Sequence, residues 1–227
     1  MGRSTKPSLT RLNEILRRQD PPKWGSHYEP AIKATREEAP SVSRPAQAWS
    51  TELLRYCHVL SQGELYLLIL ALYHPDLFEL QEQRALATEP RQHPLTGHPL
   101  AVGMNLPGFK GTVNVAMRLG YLHLHPVVYM VGDDGAKVPV PFPWVGDFLL
   151  FMNDKDGPYC INWTIKLDAE DFEKSFTNGR PVRHPYQDKV AAQARHAIEE
   201  IHYSDVGIRT VRVSSSALPK PLMHNLR

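Results

Sequence analysis

The sequence predicts a mixed α/β fold, a sheet covered by helices on both faces, with an extended N-terminal arm. Three observations predict it. Two strand-like runs, 147–151 and 159–167, flank Asn153-Asp154-Lys155-Asp156-Gly157, which has the turn chemistry of a central hairpin. Helix-like segments at 62–73, 111–120 and 186–204 interleave with strand-like ones around that hairpin. At 227 residues and 42% apolar content, the chain is long enough for one sizeable core or a core plus a small appendage.

The elements follow in order. Residues 1–20 carry Arg3, Lys6, Arg11, Arg17 and Arg18 around the helical pattern Leu9, Leu12, Ile15, Leu16. Residues 21–47 are rich in Pro, Ser and charge and read as an extended arm or linker, so 1–48 is assigned as a basic arm and 49–227 as the folded domain. A basic helix on such an arm suits a DNA backbone or a partner protein; a loosely ordered tail is the other reading. Residues 50–60 look like one strand. Ser61 is an N-cap with Glu64 three residues on, a capping-box spacing, and the helix to Tyr73 is apolar nearly all round, as a buried helix is. His74-Pro75-Asp76 stops it. A strand follows over 77–86 with Glu82-Gln83, then a Pro- and Gly-rich loop over 87–108 and a helix over 111–120. Residues 139–143 read as a Pro-rich connection into the central hairpin. Helical segments at 168–176 and 186–204 and a strand at 208–213 complete the chain, with no internal repeat.

Bulk properties exclude several functions. A net charge of +2 confines any nucleic-acid binding to local patches. Cys57 and Cys160 lie far apart in apolar contexts, as two buried, reduced thiols would. The N-terminus lacks a signal-peptide pattern, and the best apolar run, 65–73, is too short for a bilayer, so a cytoplasmic protein without membrane contact is expected. No glycine loop ends in Lys-Ser/Thr, which argues against an ATPase. His123-x-His125 would place two imidazoles on one strand face, but a zinc site needs a third ligand that neither His93 nor His98 clearly supplies. Cys57 and His58 are adjacent in a strand and face opposite ways, so they make no nucleophilic pair.

One spaced trio carries chemistry: Glu64 near a helix start, Asp147 opening a strand, and Lys166 closing the next. Alternation puts Thr164 and Lys166 on one face, Trp163 and Ile165 on the other, and the hairpin brings Asp147 beside the first face. Two carboxylates with nearby carbonyls suit Mg²⁺, which prefers oxygen ligands, and a lysine can orient a water or offset developing charge. This is the requirement of a divalent-metal nuclease of the PD-(D/E)xK type. Each residue also has a structural reading: Glu64 as a cap, Asp147 as a turn acceptor, Lys166 as a solvated strand end.

A series of short segments follows in order across most of residues 50–226. They are Ser61-Gln62-Gly63-Glu64 with His74-Pro75-Asp76, then Glu82-Gln83, then Gly111-Thr112 leading to Ala116-Met117-Arg118-Leu119-Gly120 and His125-Pro126. Asp147-Phe148-Leu149, Thr164-Ile165-Lys166, Tyr203, Leu218-Pro219 and Asn225-Leu226 follow. In that order they resemble the N-terminal catalytic domain of the TnsA family, the endonuclease subunit of heteromeric bacterial transposases. The resemblance implies a restriction-endonuclease-like fold and Mg²⁺-dependent hydrolysis (Mn²⁺ as a possible substitute) of the 5′ strands at transposon ends. It implies a DDE-type transposase subunit that cuts and joins the 3′ strands, and an AAA+ regulator, as partners. By position, Glu64 and Asp147 would ligate the metal, Thr164 and the Ile165 carbonyl would complete its site, and Lys166 would be the motif lysine. Gln83 is placed to line the site from a neighbouring strand. Thr164 departs from the pattern, since nucleases of this fold usually carry Glu, Asp or Gln there. Some family members continue into a winged-helix domain, which would begin about where this sequence ends. Two alternatives accompany this reading: a catalytically weak or inactive assembly subunit, and a stand-alone nuclease or resolvase.

Overall fold

A computed structural model describes residues 7–41, 43–132, 134–173 and 184–225. Helix α1 spans Leu9–Gln19, with the Ser8 hydroxyl accepting the Arg11 N–H as its N-cap. An extended stretch with one 3₁₀ turn, Gly25–His27, leads to strands β1 (Ala46–Ser50) and β2 (Arg55–Val59). Helix α2 (Gln62–Leu72) and strand β3 (Leu77–Ala85) follow, then a long loop and helix α3 (Thr112–Arg118). Strands β4 (Val127–Val131) and β5 (Lys137–Pro141) form a separate ribbon. Strands β6 (Val145–Asp154) and β7 (Gly157–Lys166) make the central hairpin. Helix α4 (Pro185–Ser204), strand β8 (Arg209–Ser214) and helix α5 (Lys220–Asn225) close the order.

The main sheet is ordered β3-β6-β7-β8, with β3, β6 and β7 antiparallel and β8 parallel to β7. A parallel neighbour cannot be reached through a tight turn, and α4 lies in the connection that makes the crossover. Alternation divides the central strands between two cores. Leu80, Phe148, Leu150 and Ile165 pack with Leu67, Leu68 and Ala71 of α2 and with Cys57 and Val59 of β2. Leu149, Phe151 and Cys160 pack on the opposite side with Tyr203, Val206 and Ile208. Burial of both faces explains why 148–152 is continuously apolar rather than alternating. The mixed sheet flanked by helices is therefore the architecture expected from sequence.

Several elements differ in detail from their sequence reading. Residues 50–60 are not one strand. The chain reverses at 51–54, where the Ser50 hydroxyl accepts the Leu53 N–H and Leu54 takes a φ of 52°. The connection at 139–143 is largely strand, because a two-stranded ribbon has free edges that tolerate Pro139 and Pro141. His123 lies in a 3₁₀ turn, Leu122–Leu124, and His125 is buried with Nε2 3.0 Å from the Thr112 hydroxyl, so the two imidazoles share no strand face. Residues 169–173 form a 3₁₀ turn; 174–176, Arg3, Lys6 and Leu226 lie outside the described residues. Both cysteines are buried free thiols, each pushed up to about 12 by burial. No helix among the described residues is long and apolar enough to cross a membrane.

The N-terminal segment is docked along the outer edge of β3 with Leu12, Ile15 and Ala31 buried, and β1, starting at Ala46, runs across the 48/49 boundary drawn from composition. The Tyr28 hydroxyl donates to the Glu82 carbonyl at 2.7 Å, and the Ala31 N–H donates to the Gln83 carbonyl at 2.9 Å. The Gln19 amide brackets the same stretch, donating to the Gln83 carbonyl and accepting the Ala85 N–H. An edge strand's unpaired backbone groups are thereby satisfied. Arg11 and Arg18 of α1 are engaged inside the protein. Arg18 forks onto Glu38 at 2.7 and 2.6 Å, and although burial pushes the Glu38 carboxyl up, that guanidinium holds it at about 2.

A buried ion pair joins the β1–β2 hairpin to this edge. Arg55 donates to both oxygens of Glu82 at 2.8 Å and to the Leu80 carbonyl, and its guanidinium lies 4.8 Å from the Tyr28 ring centroid. Glu82 also accepts the His58 N–H at 2.9 Å. Removing one partner strands the other charge in the interior, at a cost of about 3–5 kcal/mol. Urea unfolding of Glu82→Ala is expected to show a loss on that scale, and Arg55→Met combined with Glu82→Leu a distinctly smaller one.

Candidate active site

The first turn of α2 sets Glu64. The Ser61 hydroxyl accepts the Glu64 N–H at 3.1 Å, and the Glu64 side chain returns to Ser61 Oγ and to the Leu60 N–H, both at 2.9 Å. The capping role expected from the spacing is thus present. It also locks the carboxylate rotamer. A Cβ at Gly63 would collide with Ser215, so glycine lets the turn after β8 close against this end of α2.

Glu64 is only 8% exposed, and a third donor reaches it from the sheet. Gln83 Nε2 donates to Glu64 Oε2 at 3.1 Å. Gln83 sits mid-strand with a φ of 48°, the left-handed region that a non-glycine residue adopts only when its surroundings hold it there. Two sets of contacts hold it: the arm takes its carbonyl, and its side chain is fixed on Glu64. The ladder between β3 and β6 runs from Glu82↔Phe148 to Arg84↔Gly146, which sets Gln83 level with Asp147.

Asp147 lies where the β6–β7 ladder stops. Registered pairing ends at Phe148↔Trp163, and the next available N–H, that of Ile165, is taken by Asp147 Oδ2 at 2.6 Å. Burial raises the Glu64 carboxyl to about 7, and the negative charge of Asp147 adds to that rise while the Lys166 ammonium opposes it. The structure therefore brings Glu64, Gln83 and Asp147 together, with Lys166 half-buried at the end of β7.

Thr164 and Ile165 face opposite sides of β7, as alternation predicts. The Ile165 side chain is in the core on the α2 side, and its N–H serves Asp147. The Thr164 hydroxyl donates to Glu199 Oε1 on α4 at 3.0 Å rather than meeting Glu64. Glu199, 2% exposed, also accepts from Asn162 Nδ2 at 3.0 Å. Burial pushes its carboxyl up, Arg195 counters, and Asp147 pushes the same way as burial. Sequence reading passed over Glu199. The available signal was its position on the buried stripe Ala192, His196, Glu199, Tyr203, where an apolar residue is ordinary.

As a donor set, two close carboxylates, with Glu64 raised to about 7, fit a hard divalent cation, whose charge would favour the ionised form of Glu64. The fit extends to two carboxylates. Among the described residues no group of three or more His, Cys, Asp or Glu is arranged to hold a metal. No protein-family model matches the chain, and no curated protein matches its sequence.

The raised Glu64 carboxyl has a consequence for stability. The folded protein binds this proton more tightly than the unfolded chain, whose carboxyl has the ordinary value of 4.5. Its contribution is present in full below that value and lost as pH rises through about 7. Metal-free wild type is expected to lose stability relative to Glu64→Gln between about pH 5 and about pH 8, on the order of 2 kcal/mol in urea unfolding at each pH.

Proposed function

We propose that the chain is a metal-dependent DNA endonuclease, the subunit that cuts the 5′ strands at transposon ends in a heteromeric transposase of the TnsA type. The observation that carries this reading is the convergence of Glu64 and Asp147 where α2, β3, β6 and β7 meet: Gln83, level with Asp147 in the β3–β6 ladder, donates to Glu64, and the Ile165 N–H one residue before Lys166 donates to Asp147. The mixed sheet with helices on both faces is compatible with the restriction-endonuclease-like fold that the resemblance implies.

Glu64 and Asp147 would hold Mg²⁺, or Mn²⁺ in its place. Held there, such an ion would supply polarisation of a phosphate oxygen and a more acidic water. Ser61, Leu60 and Gln83 keep the Glu64 carboxylate in one orientation, and the Ile165 N–H does the same for Asp147, so neither must reorganise when DNA arrives. The Lys166 ammonium orients the attacking water or offsets charge on the scissile phosphate. In this reading a DDE-type transposase subunit processes the 3′ strands and an AAA+ regulator links the pair to a target.

One observation favours a second reading. The Thr164 hydroxyl is committed to Glu199, leaving a neutral residue at the third metal-site position, as an inactive assembly subunit would have. Strand-resolved cleavage of end-labelled transposon-end DNA, with the partner transposase and Mg²⁺, separates the two. Wild type is expected to cut the 5′ strands, and Asp147→Ala to lose that cut by at least about 100-fold, the scale of several kcal/mol of metal-assisted charge stabilisation. Absence of 5′ cutting by wild type, with 3′ cutting intact, would establish the assembly subunit. DNA cleavage without any partner would instead mark a stand-alone nuclease.

A further inference from the structure

Glu199 is a carboxylate in a place where packing alone would favour an apolar side chain. It occupies the inward stripe of α4 between His196 and Tyr203, and burying a carboxylate is costly unless it is well partnered. Its partners lie on β7, where Thr164 Oγ1 and Asn162 Nδ2 each donate to Oε1 at 3.0 Å. It also stands against the start of β6. A Cβ at Gly146, the residue before Asp147, would lie 3.4 Å from the same oxygen. Arg195, one turn earlier on α4, donates to the Val145 carbonyl at 3.0 Å, so α4 grips the segment that delivers Asp147.

A threonine hydroxyl has one hydrogen and two acceptor positions. With its hydrogen given to Glu199, the Thr164 oxygen keeps only acceptor capacity, and the neighbouring carboxylate enriches its negative character. We propose that Glu199 is a positioning residue of the candidate site: it fixes the Thr164 hydroxyl as an acceptor and supplies, from α4, the negative charge that a carboxylate at position 164 would have supplied from β7. The proposal rests on the endonuclease reading above. Under it, the threonine departure is compensated by a residue 35 positions later in the chain.

The test is divalent-ion binding by calorimetry with Mn²⁺ on the full chain, alongside urea unfolding. Glu199→Gln keeps the size and polarity of the side chain and removes its charge. It is expected to weaken Mn²⁺ binding by about 10–100-fold, the range for residues that orient metal ligands. Its folding midpoint should be unchanged or raised. Thr164→Glu combined with Glu199→Gln moves the carboxylate onto β7 and should return Mn²⁺ binding to within a few-fold of wild type. That rescue is something a purely structural Glu199 would not produce, and it decides the matter if Glu199→Gln alone folds poorly. Wild-type affinity in Glu199→Gln, or a loss that the combined variant does not recover, would overturn the proposal while Asp147→Ala still abolishes binding. If wild type and Asp147→Ala behave alike, the metal-site reading itself fails, and the Glu199 role falls with it.

Discussion

The buried pairing of Arg55 with Glu82 is the charged junction at which the β1–β2 hairpin, the edge strand β3 and the N-terminal arm meet. Glu82 is fully buried on an edge strand, and a carboxylate there persists only because Arg55 meets both its oxygens and the His58 N–H adds a further bond. The constraint runs outward in two directions. Through Arg55 and His58 it fixes the β1–β2 hairpin over β3, and β2 runs directly into the cap of α2. Through Tyr28, which stacks on Arg55 and bonds the Glu82 carbonyl, it fixes the N-terminal arm. The next residue along β3 is Gln83, so hairpin and arm together frame the strand position that reaches Glu64.

The candidate site is built at points where regular structure gives way. At Gln83 the strand adopts a left-handed φ, held by Ala31 and Gln19 on one side and by Glu64 on the other. At Asp147 a side chain takes over an N–H after registered pairing has ended. At Glu64 the helix has not yet begun its own hydrogen bonding and needs a cap. Each interruption leaves polar groups that the ladder or helix does not consume, and these groups converge. The arrangement couples the arm to the site by a short path: Gln19 to the Gln83 carbonyl, Gln83 to Glu64, and the charge of Glu64 to Asp147.

The elements that were legible in sequence are those whose signal is local. Ser61 and Glu64 declare the start of α2 by spacing alone, and the Asn153–Gly157 turn declares the central hairpin. The interleaving of apolar runs is enough for a mixed sheet with helices on both sides. The misread elements are those where two local signals compete. Leu53 and Leu54 continue an apolar strand pattern, yet the Ser50 hydroxyl and a left-handed Leu54 turn the chain. Pro139 and Pro141 read as a connection because proline lacks a ladder donor, but an isolated ribbon leaves that side unpaired in any case. His123 and His125 look like one strand face only until a 3₁₀ turn separates them.

What the sequence by itself determined was the identity and local setting of Glu64, Asp147 and Lys166, together with the class of architecture that could carry them. These follow from capping, alternation and turn chemistry, all of which act within a few residues. Only the tertiary structure decided that Gln83 bonds Glu64, that the arm closes the edge of β3, and that Glu199 rather than Glu64 receives the Thr164 hydroxyl. Those contacts join residues far apart in the chain. Their partners are chosen by strand order, register and the packing of α4 on the sheet, and none of these leaves a periodic mark in the sequence. A glutamate on a buried helical stripe is legible as an anomaly; which hydroxyl it answers is settled by where the helix comes to rest.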